Sequence, residues 1–265
     1  ALKNLIDKNI KTKEILTSKA FENAMIVHAA CGGSTNLILH LPAVAHAVKE
    51  KIMKVEDWIR INKLTPRLVD VLPNGPKGFP TSVFFSAGGV PEVMLKLRNE
   101  GLLNLDVVTS TGLTLRENLD WWEQSEKRDF VRKQLRNTRN IDPEDVVHSL
   151  KNSKKKNMTS TVTFPKGNIS PEGSVVKSTA IDKTVIDDDG VYRKIGPARI
   201  FISEADAIKA VKDKGENGVK AGDIMVIVCG GPKGTGMQEV AQITIALKYL
   251  SYGKEVALIT DGRFS

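Results

Sequence analysis

The residue pattern most typical of a ligand-binding or catalytic site lies near the end of the chain, in a glycine-rich stretch. A short apolar run, 224–228, precedes four glycines at positions 230, 231, 234 and 236. Such a run is typical of a buried strand, and closely spaced glycines let the backbone turn tightly and approach a ligand. The pattern predicts a small-ligand site, although a plain tight turn would have the same composition.

The elements around this loop predict a strand–loop–helix–strand unit. A helix is predicted over 237–252 and a second buried strand over 256–259. A right-handed crossover makes two such strands parallel, so the loops at Glu239 and at 261–265 should open at one edge of the sheet. Ligands bind at that carboxyl edge in open α/β sheets. We therefore expect Glu239 and Ser265 to lie on the order of 10 Å apart.

Two common nucleotide-binding motifs are excluded by the residues of this loop. No Gly-Lys-Ser/Thr opens the helix, as a Walker A loop requires. Gly231 and Gly236 also have the wrong spacing for the dinucleotide-binding fingerprint. The loop alone does not identify its ligand.

Several collinear stretches resemble the dihydroxy-acid and sugar-acid dehydratase family, the iron–sulfur dehydratases. They are GPKGTGMQE with the later LITDGRFS, FENAMIVHAACGGSTNLILHLPAVAH, AGGVPEVMLKLRNEGLLNLDVVTSTGLTLRENL and GPARIFISEADAIKAV. Three more stretches are similar to the aldonate branch, notably the D-xylonate dehydratases: RINKLTPRLVDVLPNG, WWEQSEKR and STVTFPKGNISPEGSVVKSTAID. The resemblance covers essentially the whole chain and implies a hydro-lyase that converts a sugar acid to a 2-keto-3-deoxy acid.

The resemblance also implies roles for two residues and two cofactors. Ser265, after TDGRF, matches the serine that removes the C2 proton in the family, and Glu239 matches a glutamate that binds Mg²⁺. An iron–sulfur cluster would act as the Lewis acid that takes the leaving hydroxide. Without the resemblance, Glu239 would be read as an acid favoured by the helix dipole in a first turn. Ser265 would be no more than a terminal residue.

The resemblance further places one glycine-rich turn near the cluster pocket, and its residues are Gly32, Gly33, Ser34, Thr35 and Asn36. The family's cluster-binding cysteines and remaining Mg²⁺ ligands precede the position that matches Ala1. Cys31 and Cys229 do not match them, and we expect both to be inert small hydrophobic residues. The chain is therefore expected to be a portion of a dehydratase, cut at both ends. Alone it should bind no cluster and be inactive.

Composition narrows the class of partner. The chain has 39 Lys and Arg against 31 Asp and Glu, a formal charge of +8, and only 5% aromatic residues. The one basic cluster, 151–156, lies in a polar stretch without aromatic residues, so we expect an anionic small substrate rather than nucleic acid. No apolar run is long enough to span a membrane, and no signal peptide opens the chain. Two cysteines do not make a disulfide framework, so a cytoplasmic protein is expected. The resemblance implies that the full-length protein is a homo-oligomer, dimer or tetramer.

The change of residue pattern predicts two parts of an α/β protein. Residues 1–150 are helix-rich, with a buried helix at 21–30 and the longest helix at 114–136. Residues 151–265 are strand-rich, and the polar run 137–157 should lie outside both cores. By resemblance, the first part belongs to a three-layer α/β domain and the second to a β-barrel-like domain that carries Glu239 and Ser265.

Two other functions stay open. The chain could belong to a dihydroxy-acid or phosphogluconate dehydratase of the same family, which differs in substrate. It could also be a non-catalytic paralogue or assembly module, because part of the family's site is missing from it. The four histidines, at 28, 40, 46 and 148, lack metal-ligand spacing and are expected to be structural.

Overall fold

The computed structural model describes residues 1–264, which form two compact units, Ala1–Ala180 and a second that begins at Ile181. In the first unit the regular secondary structure is helical apart from isolated β-bridges, and the second unit combines helices with a parallel sheet. The protein is therefore a mixed helix-and-sheet protein, as the sequence predicts. The boundary that we expected at residue 150 lies inside the first unit.

The first unit contains eleven helices, several of them only one or two turns long. In chain order they are α1 Leu2–Asp7, α2 Thr12–Ile15, α3 Ser18–Cys31, α4 Asn36–Ala47, α5 Val55–Leu64, α6 Thr81–Ser86, α7 Gly89–Asn99, α8 Leu115–Glu123, α9 Glu126–Arg139, α10 Pro143–Val146 and α11 Leu150–Lys155. A 3₁₀ turn, Ser178–Ala180, ends the unit.

Helix α3 lies at the centre of this unit and confirms the buried helix predicted at 21–30. The side chain of Thr17 accepts a hydrogen bond from the Ala20 N–H at its start, and Gly32 ends it in a left-handed conformation, φ 64°. Most residues from Phe21 to Ala30 are buried, and α3 packs against α4, α5 and α7. A helix surrounded by other helices buries most of its circumference, which explains why this segment has apolar residues on all sides.

The helix predicted over 114–136 is two helices, α8 and α9. Gln124 ends α8, and Ser125 takes an extended conformation before α9 begins at Glu126. Ser125 is followed by acidic residues in the first turn of α9, a pattern typical of a helix start. The apolar positions had the same period on both sides of the break, so periodicity alone did not reveal it.

Helices α7 and α9 are joined by a buried charge cluster. Glu92 is only 2% exposed, and its carboxylate accepts hydrogen bonds from Arg128 at 2.8 and 3.0 Å. Arg132 lies 3.2 Å from the same carboxylate and also donates to the carbonyl of Ala87. The cluster is fully paired, which is the condition under which buried charges are tolerated.

The prediction that residues 137–157 lie outside both cores is wrong. Val146, Val147 and His148 are fully buried, and the backbone of this segment pairs with the strand-like residues Leu68 and Asp70. The basic residues of α11 point to solvent, whereas the apolar residues just before it enter the core. The prediction failed because it rested on the number of charged residues in the whole segment and did not separate the apolar residues from the lysines that follow them.

The second unit is built on a three-stranded parallel sheet in the order β1-β2-β3. Its elements are β1 Ala198–Phe201, α12 Glu204–Lys212, β2 Ile224–Ile227, α13 Pro232–Thr235, α14 Ala241–Lys248 and β3 Ala257–Thr260, with 3₁₀ turns at Lys183–Val185 and Gly253–Glu255. Helices α12 and α14 contact each other, and a core that includes Met225, Ile227 and Ile243 lies between them and the sheet. The strands predicted at 224–228 and 256–259 are confirmed, while the helix predicted over 237–252 is shorter.

A β-barrel-like domain, expected from the resemblance, is not found in residues 1–264. In the part of the chain expected to be strand-rich, residues 159–164 and 174–181 form only one antiparallel bridge, between Thr163 and Val176, in the first unit. Prolines and glycines between them, such as Pro165 and Gly173, favour turns, so the backbone hydrogen bonds of this bridge do not extend into a longer pair of strands. None of the helices in this described part of the chain has both the length and the apolar character that crossing a bilayer requires.

Candidate functional site

The glycine-rich loop and the loop after β3 leave the same edge of the sheet, because β2 and β3 are parallel. A carboxylate joins them: Asp261 accepts hydrogen bonds from the backbone N–H of Cys229 at 3.0 Å and of Gly230 at 2.8 Å. The predicted strand–loop–helix–strand unit is confirmed. From the sequence, Asp261 was predicted only to lie in a loop, and this contact was not predicted.

The loop itself needs its glycines. A Cβ atom on Gly234 would lie 2.3 Å from the carbonyl oxygen of Cys229, and Gly236 has φ 69°. The hydroxyl of Thr235 donates to the carbonyl of Gly230 at 2.9 Å and closes the turn. The short helix α13, Pro232–Thr235, lies within this loop.

Glu239 lies where the two loops run side by side. It forms a parallel β-bridge with Arg263, and the N–H of the buried Val240 donates to the Arg263 carbonyl at 3.0 Å. Glu239 is half-buried and stands before α14, outside the helix in which it was predicted. Ser265 lies outside the described residues, so its distance from Glu239 stays a prediction.

The turn that links α3 and α4 in the first unit comprises Gly32, Gly33, Ser34 and Thr35, and Asn36 is the first residue of α4. A Cβ atom on Gly33 would lie 2.4 Å from Cδ2 of His28, so only glycine fits there without displacement. His28 Nε2 makes a 2.8 Å hydrogen bond with the carbonyl of Ser34. The Ser34 hydroxyl accepts a hydrogen bond from the N–H of Asn36 at 3.2 Å, so residues of the turn and of the adjoining helix ends stabilise it.

The imidazole of His28 is neutral in this setting. Its pKa is lowered, first because burial disfavours the charged ring and further because Lys177 is positive; the hydrogen bond to Ser34 acts in the opposite direction. The ring also packs edge-on against Trp58, with centroids 5.4 Å apart. His28 therefore supports the turn and is not arranged as a metal ligand.

Residues from distant parts of the chain border the same turn, and sequence reasoning missed them. The Asn74 amide donates to the carbonyl of Gly32 at 2.9 Å and accepts from the Thr179 hydroxyl at 2.8 Å. Arg67 donates to the carbonyl of Asn74. Asn74 precedes Gly75 in a stretch rich in glycine and proline, a composition that favours a loop but does not indicate which residues Asn74 contacts.

The donor atoms of residues 1–264 do not fit an iron–sulfur cluster. No group of three or more His, Cys, Asp and Glu side chains in this range could hold a metal ion. Burial raises the pKa of the Cys31 thiol to about 12, so it is not a thiolate at neutral pH. Cys229 is exposed, and the two cysteines lie in different units. Glu239 fits Mg²⁺ as a single carboxylate ligand, since hard cations prefer oxygen.

Two family models match the chain. The dihydroxy-acid/6-phosphogluconate dehydratase N-terminal model matches residues 1–118, and the corresponding C-terminal model matches residues 145–265. Together they account for most of the sequence.

Individual relatives agree with this match. D-xylonate dehydratase YjhG of Escherichia coli (strain K12) is 59% identical over 99% of this chain and 40% of its own length. D-xylonate dehydratase YagF of the same strain is 56% identical over 100% of this chain and 40% of its own length. A dihydroxy-acid dehydratase of Picrophilus torridus is 39% identical over 100% of this chain and 43% of its own length. The chain thus spans about two fifths of the length of these relatives.

Proposed function

This chain belongs to the dihydroxy-acid/6-phosphogluconate dehydratase family, and from that membership we propose that the protein carrying it dehydrates a sugar acid such as D-xylonate. The choice of substrate rests on the difference in sequence identity between the chain and its relatives. Two proteins named D-xylonate dehydratase are 59% and 56% identical to the chain, against 39% for a dihydroxy-acid dehydratase.

The proposed reaction is an elimination of water without net oxidation. The C2–H bond breaks and its proton passes to a base, while the C3–O bond breaks and its electron pair leaves with the hydroxide. Protonation of the hydroxide gives water. The remaining enol tautomerises to the 2-keto-3-deoxy acid.

Two residues of this chain are proposed to serve that reaction. Ser265 would accept the C2 proton, and Glu239 would be one ligand of Mg²⁺. When bound, Mg²⁺ would stabilise the negative charge that develops as the proton leaves. The half-buried position of Glu239 at the ligand-binding edge of a parallel sheet supports this role.

The family's other features are proposed for the whole protein. We propose that Gly32, Gly33, Ser34, Thr35 and Asn36 line the pocket for the iron–sulfur cofactor, whose ligands would be residues other than Cys31 and Cys229. The first unit would belong to a three-layer α/β domain. The whole protein would be a cytoplasmic homo-oligomer whose partner is a small sugar acid.

A substrate panel tests the proposed function. Protein expressed from the complete native reading frame would be purified without oxygen, and its iron content measured. D-xylonate, other aldonates, 6-phosphogluconate and a branched 2,3-dihydroxy acid would then be compared by 2-keto acid formation. We expect the highest kcat/KM with an aldonate.

Other results of the panel would favour the alternatives. Preference for the branched acid or for 6-phosphogluconate would place the protein in another branch of the family. Iron-loaded protein that turns over none of these acids would indicate a non-catalytic paralogue.

A further inference from the structure

Two cations that form no ion pair within residues 1–264 border the turn between α3 and α4. Arg67 is 6% exposed and Lys177 is half-buried. Neither forms an ion pair with any residue of the described range 1–264, and the Nε atom of Arg67 also lacks a hydrogen-bond partner there. Buried or half-buried charges in proteins are usually paired, because leaving them unpaired is costly.

Specific contacts bring both cations to the turn. A Cβ atom on Gly32 would lie 3.1 Å from Cδ of Arg67 and 2.9 Å from Cγ2 of Thr161. Ser178, next to Lys177, donates to the carbonyl of Thr161 at 3.4 Å. Thr179 is tied to the carbonyl of Gly32 through the Asn74 amide, at 2.8 and 2.9 Å. The segment that carries Lys177 therefore lies against the turn.

The surroundings offset this positive charge only in part. Asp70 is the acid whose charge acts on Arg67, but its carboxylate already accepts the backbone N–H groups of Lys77 and Gly78 at 3.0–3.1 Å. His28 is neutral. Burial lowers the pKa of Lys177 and of Arg67, so both cations lack part of their hydration. Such a site gains free energy when an anion binds.

We infer that Lys177 and Arg67 form a binding site for a small oxyanion, a carboxylate or phosphate group, at the Gly32–Ser34 turn. Lysine supplies a point charge and arginine a planar set of donors, the pair of groups that most often bind such anions. That the natural occupant is the anionic group of a sugar acid rests on the proposed function. The site itself rests on the two unpaired cations.

Binding measurements on the protein from the complete native reading frame test the site. Calorimetric titrations would use D-xylonate, inorganic phosphate and xylitol, which has the same carbon chain as D-xylonate but no charge. The variants are Lys177→Met, Lys177→Arg and a matched control, Lys151→Met, which removes an exposed lysine of the same unit. Thermal unfolding would verify that each variant is folded.

The expected result is anion binding that depends on Lys177. Lys177→Met should weaken binding of D-xylonate or phosphate about tenfold or more, because a hydrogen bond to a charged group is lost. Lys177→Arg should retain most of the affinity, and Lys151→Met should match wild type. Weakened D-xylonate binding identifies a carboxylate site, and weakened phosphate binding identifies a phosphate site. Affinities within twofold of wild type for both anions in Lys177→Met would overturn the inference.

The same variants separate this inference from the proposed function. If the protein dehydrates no sugar acid, yet Lys177→Met loses anion binding, the proposed function fails and the site stands. If dehydration proceeds with unchanged KM in Lys177→Met and anion affinity is also unchanged, the site fails and the proposed function stands.

Discussion

The carboxylate of Asp261 accepts the backbone N–H of Gly230 at 2.8 Å, across the gap between two parallel strands. A second bond, from the N–H of Cys229 at 3.0 Å, uses the other carboxylate oxygen. Cys229 has φ 67°, a left-handed conformation that non-glycine residues rarely adopt. One exposed side chain thus fixes the start of the glycine-rich loop relative to the loop that leads to Ser265.

Removing this carboxylate should loosen the loop. We expect Asp261→Ala to lower the free energy of unfolding by about 1 kcal/mol, since two backbone hydrogen bonds lose their acceptor at a site open to water. Asp261→Asn, which keeps one acceptor oxygen, should have a smaller effect. Urea unfolding measures both. Asp188→Ala, at an exposed position of the same unit, is the control; equal losses in Asp188→Ala and Asp261→Ala would contradict the assignment.

A methyl group at Gly33 should be poorly tolerated. The added Cβ would lie 2.4 Å from Cδ2 of His28, whose ring is held by Ser34 and Trp58 and cannot move freely. We expect Gly33→Ala to destabilise the protein by about 1–3 kcal/mol, the usual cost of overpacking. Gly167→Ala is the matched control because no atom lies within 4 Å of its added Cβ. If Gly33→Ala unfolds at the same urea concentration as Gly167→Ala, the packing of this turn differs from that described.

The buried His28 should make the protein less stable in acid. Its pKa is lower in the folded state, so it binds a proton more readily when unfolded. The free energy of unfolding should therefore fall as the pH drops below about 6.5, the ordinary value for histidine, and reach its full value above it. His28→Gln, measured by urea unfolding between pH 5 and 8, should weaken this dependence. His46→Gln, at an exposed position, should leave it unchanged. An equal slope in wild type and His28→Gln would exclude His28 as its source.

Local patterns predicted the parts of the fold that depend on neighbouring residues. The buried helix α3 and the parallel pair β2 and β3 follow from apolar periodicity and from the usual crossover. The residues that border the Gly32 turn could not be predicted from local patterns, because Arg67, Asn74 and Lys177 are far from Gly32 in the sequence. Similarly, the burial of Val146 and Val147 depends on pairing with Leu68 and Asp70, which no local window contains. Both features depend on contacts between residues that are far apart in the sequence.

Glu239 should matter for binding of the metal and the substrate. In the protein from the complete native reading frame, we expect Glu239→Gln to raise the Mg²⁺ concentration needed for half-maximal activity about tenfold or more, because a charged oxygen ligand becomes a neutral amide. KM for D-xylonate should also rise. Mg²⁺ titrations and steady-state kinetics measure both. Glu216→Gln, an exposed acid of the same unit, should behave as wild type. An unchanged Mg²⁺ requirement in Glu239→Gln would remove Glu239 from the metal site.

Ser265 should affect turnover without affecting binding. If its side chain accepts the C2 proton, Ser265→Ala loses the base and kcat should fall by about 10²–10⁴-fold, the usual contribution of a positioned base. Binding of D-xylonate should persist, because the anionic group and the metal ligands are untouched. Exchange of the C2 proton with solvent deuterium, followed by NMR, isolates the step: wild type should exchange it and Ser265→Ala should not. Because Glu239→Gln instead weakens metal and substrate binding, the two variants distinguish a base from a ligand. Near-normal turnover by Ser265→Ala on every aldonate tested would rule out the serine as the base.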